Sequence, residues 1–245
     1  MSPHPVQLSL PLPPLPSADA ADLVPDASNA AALAWLERPG DWPQRRLALH
    51  GPEGVGKSHM LHATAKRHGW RLLQGPGLVM EAALAEAAGT ALDRADAAPE
   101  VALFHLINQA AASGAPLLLA ARAPPARWAT ALPDLASRLR ATQAVAIARP
   151  EAPLLAALLA KHIADRQLRV EPGVQAFLLA RLPREAAAIA AAVAALDAAS
   201  LAGGGAITRP FARQVLALQV REDPGADDPS ATAPQTASPT RPAPG

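Results

Sequence analysis

Apolar residues along the chain fall into two kinds of run, short and continuous or long and periodic. Five short ones stand out: Arg46-Leu47-Ala48-Leu49-His50, Trp70-Arg71-Leu72-Leu73, Gly89-Thr90-Ala91-Leu92-Asp93, Pro116 to Ala121 and Ala144 to Ala148. Brief aliphatic runs without a 3.6-residue period read as strands buried on both faces. The third is the weakest of the set. Helical patterns lie between them, from Lys57 to His68 and over residues 100–113, where Val101, Phe104, Leu106 and Ile107 supply apolar positions. Strands separated by helices imply a parallel sheet with right-handed crossovers.

After Pro150 the pattern changes. Residues 151–218 hold no strand candidate, only helices near 151–165, 172–181, 184–201 and 208–218. Pro153, Pro172 and Pro210 fall near helix starts, where a missing N–H costs little, and Gly203-Gly204-Gly205 separates the last two helices. The expected architecture is an α/β domain over 20–149, a parallel sheet flanked by helices, followed by a small all-helical lid over 150–220. The ends are different again. Six prolines fall within residues 1–17 and six more within 222–245. Such segments bury too little apolar surface to offset the entropy of ordering them, so tails are expected at 1–19 and 221–245.

Composition sharpens this. Half of the 245 residues are hydrophobic, but many are alanine and only 3% are aromatic. The helices must therefore pack closely through small side chains, with aliphatics in the sheet, and alanine also has the best helix propensity. Lys+Arg number 22 against 21 Asp+Glu, a net +1 that argues against a protein coating nucleic acid and leaves a local basic patch open. With no cysteine, disulfides and thiolate metal sites are excluded. No secretory leader and no uninterrupted apolar run of about 18 residues is seen, which predicts a soluble, cytoplasmic protein with no membrane partner.

The strongest chemical signal is Gly51-Pro52-Glu53-Gly54-Val55-Gly56-Lys57-Ser58, a complete Gly-x-x-x-x-Gly-Lys-Ser P-loop placed between a strand and a helix. Its glycines let backbone N–H groups and the helix N-terminus converge on phosphate oxygens. Lys57 would reach the β- and γ-phosphates and Ser58 would help hold Mg²⁺. Hydrolysis also needs acids at the end of another strand. Asp93-Arg94-Ala95-Asp96 is the candidate, with Asp93 either serving the metal or being one of several solvated loop charges. Arg94 stands where a catalytic acid normally follows, which argues against efficient turnover by the protein alone. His59 and His62 lie three apart on the P-loop helix, but no third ligand has matching spacing. Gln7-Leu8-Ser9-Leu10-Pro11-Leu12 is an apolar cluster in a segment with no core to join; it is either a peptide that docks in a partner's groove or a Pro/Leu leader.

Together these residues resemble the DnaA-like AAA+ proteins, and within them the Hda type, which inactivates the replication initiator. Beyond the P-loop, the resemblance is carried by Ser28-Asn29-Ala30-Ala31 with Trp35-Leu36, by Leu103 to Asn108, by Pro124 to Trp128 and by Leu132 to Leu139. It runs from about residue 6 to residue 218. It implies that Gly51 through His59, with the lid residue Arg184, contact ADP or ATP bound with Mg²⁺. It further implies that residues 7–12 bind the sliding clamp of the replicative polymerase, and that Arg138 is an arginine finger offered in trans to the initiator DnaA. DNA would be reached indirectly, through the clamp, with the protein associated with the nucleoid and replisome; a homo-oligomer is also compatible. Two departures are Arg94 and the absence of a hydroxyl at the strand end Ala120-Ala121-Arg122.

Four functions compete at this point. The first is a regulator that stimulates ATP hydrolysis by DnaA. The second is an autonomous AAA+ ATPase of the loader kind, against which Arg94 argues. The third is a clamp-bound adaptor that keeps nucleotide only to stiffen its fold. A small-molecule kinase is the most distant, since it leaves the lid and Arg138 unexplained.

Overall fold

The structure, a computed structural model, describes residues 23–222 apart from Pro172, Gly204 and Gly205. The peptide Gln7–Leu12, both Pro-rich ends, the Pro172 helix start and the Gly204-Gly205 break therefore lie outside the described residues. Five strands form one parallel sheet: β1 (Arg46–His50), β2 (Arg71–Gln74), β3 (Thr90–Asp93), β4 (Leu117–Ala121) and β5 (Gln143–Ala146). Their spatial order is β2-β3-β4-β1-β5. β1 lies between β4 and β5, with Leu47 opposite Leu118 of β4 and Gln143 of β5.

The two-residue period of a strand divides its side chains between two layers. Leu47 and Leu49 of β1, with Leu118 and Ala120 of β4, enter one core. There they meet α1 (Ala30–Leu36) and α2 (Lys57–His68) through Ala32, Leu36, Met60 and Leu61. Ala48, Leu117 and Leu119 enter the opposite core. That layer is made by α3 (Met80–Leu84), α4 (Glu100–Ser113) and α5 (Pro133–Arg140), through residues such as Ala83, Leu106, Leu135 and Leu139. The weak acidic strand is buried on both faces despite its short apolar run: all four residues of β3 are buried. Sandwiching between two helical layers, rather than the intrinsic preference of Thr-Ala-Leu-Asp, makes it a strand.

The third core belongs to the lid: α6 (Ala152–Asp165), α7 (Val174–Leu179), α8 (Ala186–Gly203) and α9 (Arg209–Glu222). In the Ala-rich α8, Ile189, Ala192, Val193 and Leu196 recur at i, i+3, i+4 and i+7 and are almost fully buried. Those positions set which face of an otherwise featureless helix turns inward. The strand-free lid contains one exception, an isolated parallel bridge between Val170 and Ile207. It ties the loop after α6 to the segment before α9. No helix among the described residues is long and apolar enough to cross a membrane.

Candidate functional site

The P-loop follows β1 at the C-terminal edge of the sheet, where ligands of open parallel sheets gather. Its curl depends on glycine. Gly51 has φ 154°, Gly54 φ 77° and Gly56 φ 100°, and a Cβ at Gly51 would run into the carbonyl oxygen of Ile147. Gly56 caps α2, whose first residues are Lys57 and Ser58, so unpaired N–H groups and the positive end of the helix dipole face the loop. At the far end of α2, Lys66, Arg67 and His68 complement the negative pole.

Lys57 is folded back into this cradle, its Nζ donating to the carbonyl oxygens of Gly51 at 2.8 Å and Pro52 at 2.5 Å. Burial holds its ammonium below the usual lysine range. Asp93 is the strongest opposing influence, Arg122 reinforces the shift, and Glu53 and Asp96 oppose it. Residues far apart in sequence thus converge on one lysine. Asp93 ends β3, is buried, and accepts a hydrogen bond from the Arg94 amide at 2.9 Å. Arg94 itself has φ 48° and is exposed. Asp96, which the sequence reading placed in the acidic motif without a role, accepts from the Arg122 amide at 3.3 Å. The Arg122 guanidinium in turn pairs with Glu53 of the P-loop. At the end of β1, His50 is held below its usual pKa by burial first, then by Arg127 and Lys57.

These residues fit a magnesium nucleotide. A curled backbone, a helix N-terminus and a partly dehydrated lysine can receive polyphosphate oxygens. One hydroxyl, Ser58, and one carboxylate, Asp93, suit a Mg²⁺ that keeps phosphate and water as its other ligands. Among the described residues no group of three or more His, Asp or Glu could hold a metal independently.

The lid closes over the loop through a residue that sequence reasoning missed. A Cβ at Gly54 would come within 2.6 Å of Oε2 of Glu185, and Glu185 also approaches Arg149, at 3.9 Å. Arg184, the expected lid arginine, is its neighbour and is exposed. No periodicity or motif marks Glu185; only the folding of the lid onto the loop brings it there. His59 faces the lid as well: its charge is among those opposing protonation of His162 in α6.

Arg138 lies at the other end of the molecule. Its helix α5 leads into β5, so its last turn sits at the N-terminal edge of the sheet, whereas the P-loop follows the C-terminal end of β1. Its guanidinium is half-buried over the Phe104 ring, 5.6 Å from the centroid, while Arg140 on the same helix is exposed.

Residues 154–216 match the family described as Hda, lid domain. The fold as a whole is that of domain III of the replication initiation protein DnaA from Thermotoga maritima. The two superpose with a TM-score of 0.70 at 16% identity, covering 83% of this chain and 97% of that one. Residues 154–216 thus carry an Hda-type lid sequence, in a chain with the fold of DnaA domain III. AMPPCP-bound DnaA from Aquifex aeolicus gives a TM-score of 0.62 at 15% identity over 85% of this chain and 70% of its own. A RuvB variant from Thermotoga maritima gives 0.63 at 14% identity over 86% and 75%. The fold is thus shared with both a DnaA and a RuvB, while the lid sequence matches the Hda lid family. The match to the Hda lid family begins within α6, the first helix after β5.

Proposed function

We propose that this protein regulates the initiation of chromosome replication by stimulating ATP hydrolysis on DnaA. It binds ADP or ATP with Mg²⁺ through Gly51 to His59, Asp93 and Arg184, and it docks on the DNA-loaded sliding clamp through Gln7 to Leu12. It then offers Arg138 to the nucleotide of the initiator. Support for the nucleotide comes from the P-loop geometry and from the AMPPCP carried by a DnaA of the same fold. The observation that carries the proposal is the position of Arg138, at the end of the sheet opposite its own P-loop. A guanidinium there is out of reach of the nucleotide its own chain holds and is presented to a neighbour. It would stabilise charge developing on the transferred phosphoryl group in the partner's site. Arg94 in the place of an acid favours this over an autonomous ATPase.

The test is single-turnover hydrolysis of labelled ATP held by DnaA, with clamp on DNA. Arg138→Ala should bind nucleotide and clamp normally yet lose nearly all stimulation, since fingers supplied in trans are worth roughly 10³–10⁵ in rate. Lysine at 138 should restore only part, because it lacks the planar fork. Arg140→Ala should matter little. Full stimulation by Arg138→Ala would discard the mechanism and leave a clamp-bound adaptor in front.

A further inference from the structure

A second cation sits behind Arg138. Arg46, the first residue of β1, is only 2% exposed, yet its Nε has no hydrogen-bond partner. Among the described residues its side chain makes one hydrogen bond, from one Nη to the side-chain oxygen of Gln44. The backbone beside that contact is strained: Gln44 and Arg45 have φ of 51° and 56°, in the left-handed region that non-glycine residues avoid. Arg46 and Arg138 line the same cavity, of about 400 Å³, together with Gln44, Asp134, Ser137 and Ala141. Among the described residues neither guanidinium is paired with a carboxylate. Asp134, one turn before Arg138, lines the cavity without forming an ion pair with either arginine.

This is a poor way to build a stable core. Burial first, and the charge of Arg138 second, work against the protonated form of Arg46. An arginine stays protonated regardless, so the fold carries a buried, uncompensated charge that an apolar residue of similar length would spare it. Strain and unpaired charge collected at one cavity point to a ligand that relieves them. The chemistry of that ligand follows from the walls: two guanidiniums and the Ser137 hydroxyl suit a compact, multiply charged oxyanion.

We propose that the cavity between α5 and the start of β1 is a phosphate-binding site, with Arg46 as its buried anchor and Arg138 as its outer arm. The phosphate is either free in solution or the terminal group of a nucleotide carried by a docked partner; the second case rests on the reading of Arg138 as a finger. In that case Arg46 restrains the phosphate that Arg138 grips, so stimulation needs both.

Two measurements on the full chain decide it. The first follows the melting temperature of ADP-saturated protein as inorganic phosphate replaces chloride at constant ionic strength, for wild type, Arg46→Met, Arg46→Lys and Arg138→Ala. The second is single-turnover hydrolysis on DnaA with the same set. Without phosphate, Arg46→Met should melt at or above the wild-type temperature, because it removes a buried charge at similar volume; a purely structural arginine would give a lower one. Arg46→Met should lower stimulation about 10- to 100-fold, the worth of one charge-assisted contact, with Arg46→Lys in between. A wild-type melting temperature that rises with phosphate, and a rise lost in Arg46→Met, identifies free phosphate as a ligand. Lost stimulation without that rise identifies the phosphate as partner-borne. If neither effect depends on Arg46, the site does not exist. Should Arg138→Ala stimulate fully, the finger reading fails, and the phosphate melts alone decide the cavity.

Discussion

Two of the three donors of Lys57 already go to carbonyls of the loop proposed to receive phosphate. A bound nucleotide would draw these donors from the Gly51 and Pro52 carbonyls, a favourable exchange because a charged phosphate oxygen is a better acceptor than either. Lys57→Ala should therefore cost about 1.5–3 kcal/mol, roughly 10- to 150-fold in affinity for ADP, with the fold intact. Titration with a fluorescent ADP analogue measures this, and unchanged affinity would mean that the loop does not grip phosphate. The P-loop could be read directly from sequence because its function is local: glycines, lysine and serine act within eight consecutive positions. Asp93 could be suspected for a similar reason, as an acid ending a run of aliphatics. Glu185 and Arg46 could not. Their importance comes from what faces them after folding, Gly54 in one case and Arg138 in the other, and no spacing in the chain encodes those encounters.

Length did not decide how legible an element was: β1 has the bounds its apolar run suggested, while α8, expected over 184–201, runs over Ala186–Gly203. The spans of α2 and α4 follow from their periodicity, while β2 runs over Arg71–Gln74, one residue later than its apolar run suggested. The short α3 has no pattern of its own and is held by packing on α4. Two predictions belong to elements. In α6, His162 is held below its ordinary value of 6.5, by burial foremost, then by Arg166; Asp165 opposes this, while Lys161 and His59 add to it. The unfolded chain therefore binds the proton more readily than the folded lid. Stability is fully present above about pH 6.5 and declines as the pH falls through the depressed value. His50 and His68, also depressed, act in the same direction. The melting temperature should drop between pH 7.5 and pH 5.5, and His162→Gln should flatten that slope; an equal slope in the variant would rule His162 out. The second concerns Gln7 to Leu12. A six-residue segment should bind clamp at about micromolar affinity. Replacing Gln7, Leu10 and Leu12 by alanine should release the protein from immobilised clamp while ADP binding persists. Retention equal to wild type would make the segment a leader.

The fold class was the most legible property of all, since alternating strands and helices followed by a strand-free stretch admit few arrangements. Because the P-loop and Arg138 occupy opposite ends of the strands, the molecule has a direction, with a receiving face and a giving face. A contact formed through such faces has no twofold axis, and unless the assembly closes into a ring every addition leaves one of each face unused. Arg138→Ala damages the giving face alone, so it should still compete for the same place on the initiator. Mixed with wild type at fixed total concentration, it should lower stimulation in linear proportion to its fraction if each copy acts singly on one initiator, as the proposed mechanism requires. A steeper-than-linear decline would show instead that copies join head to tail, with one defective unit silencing its neighbours.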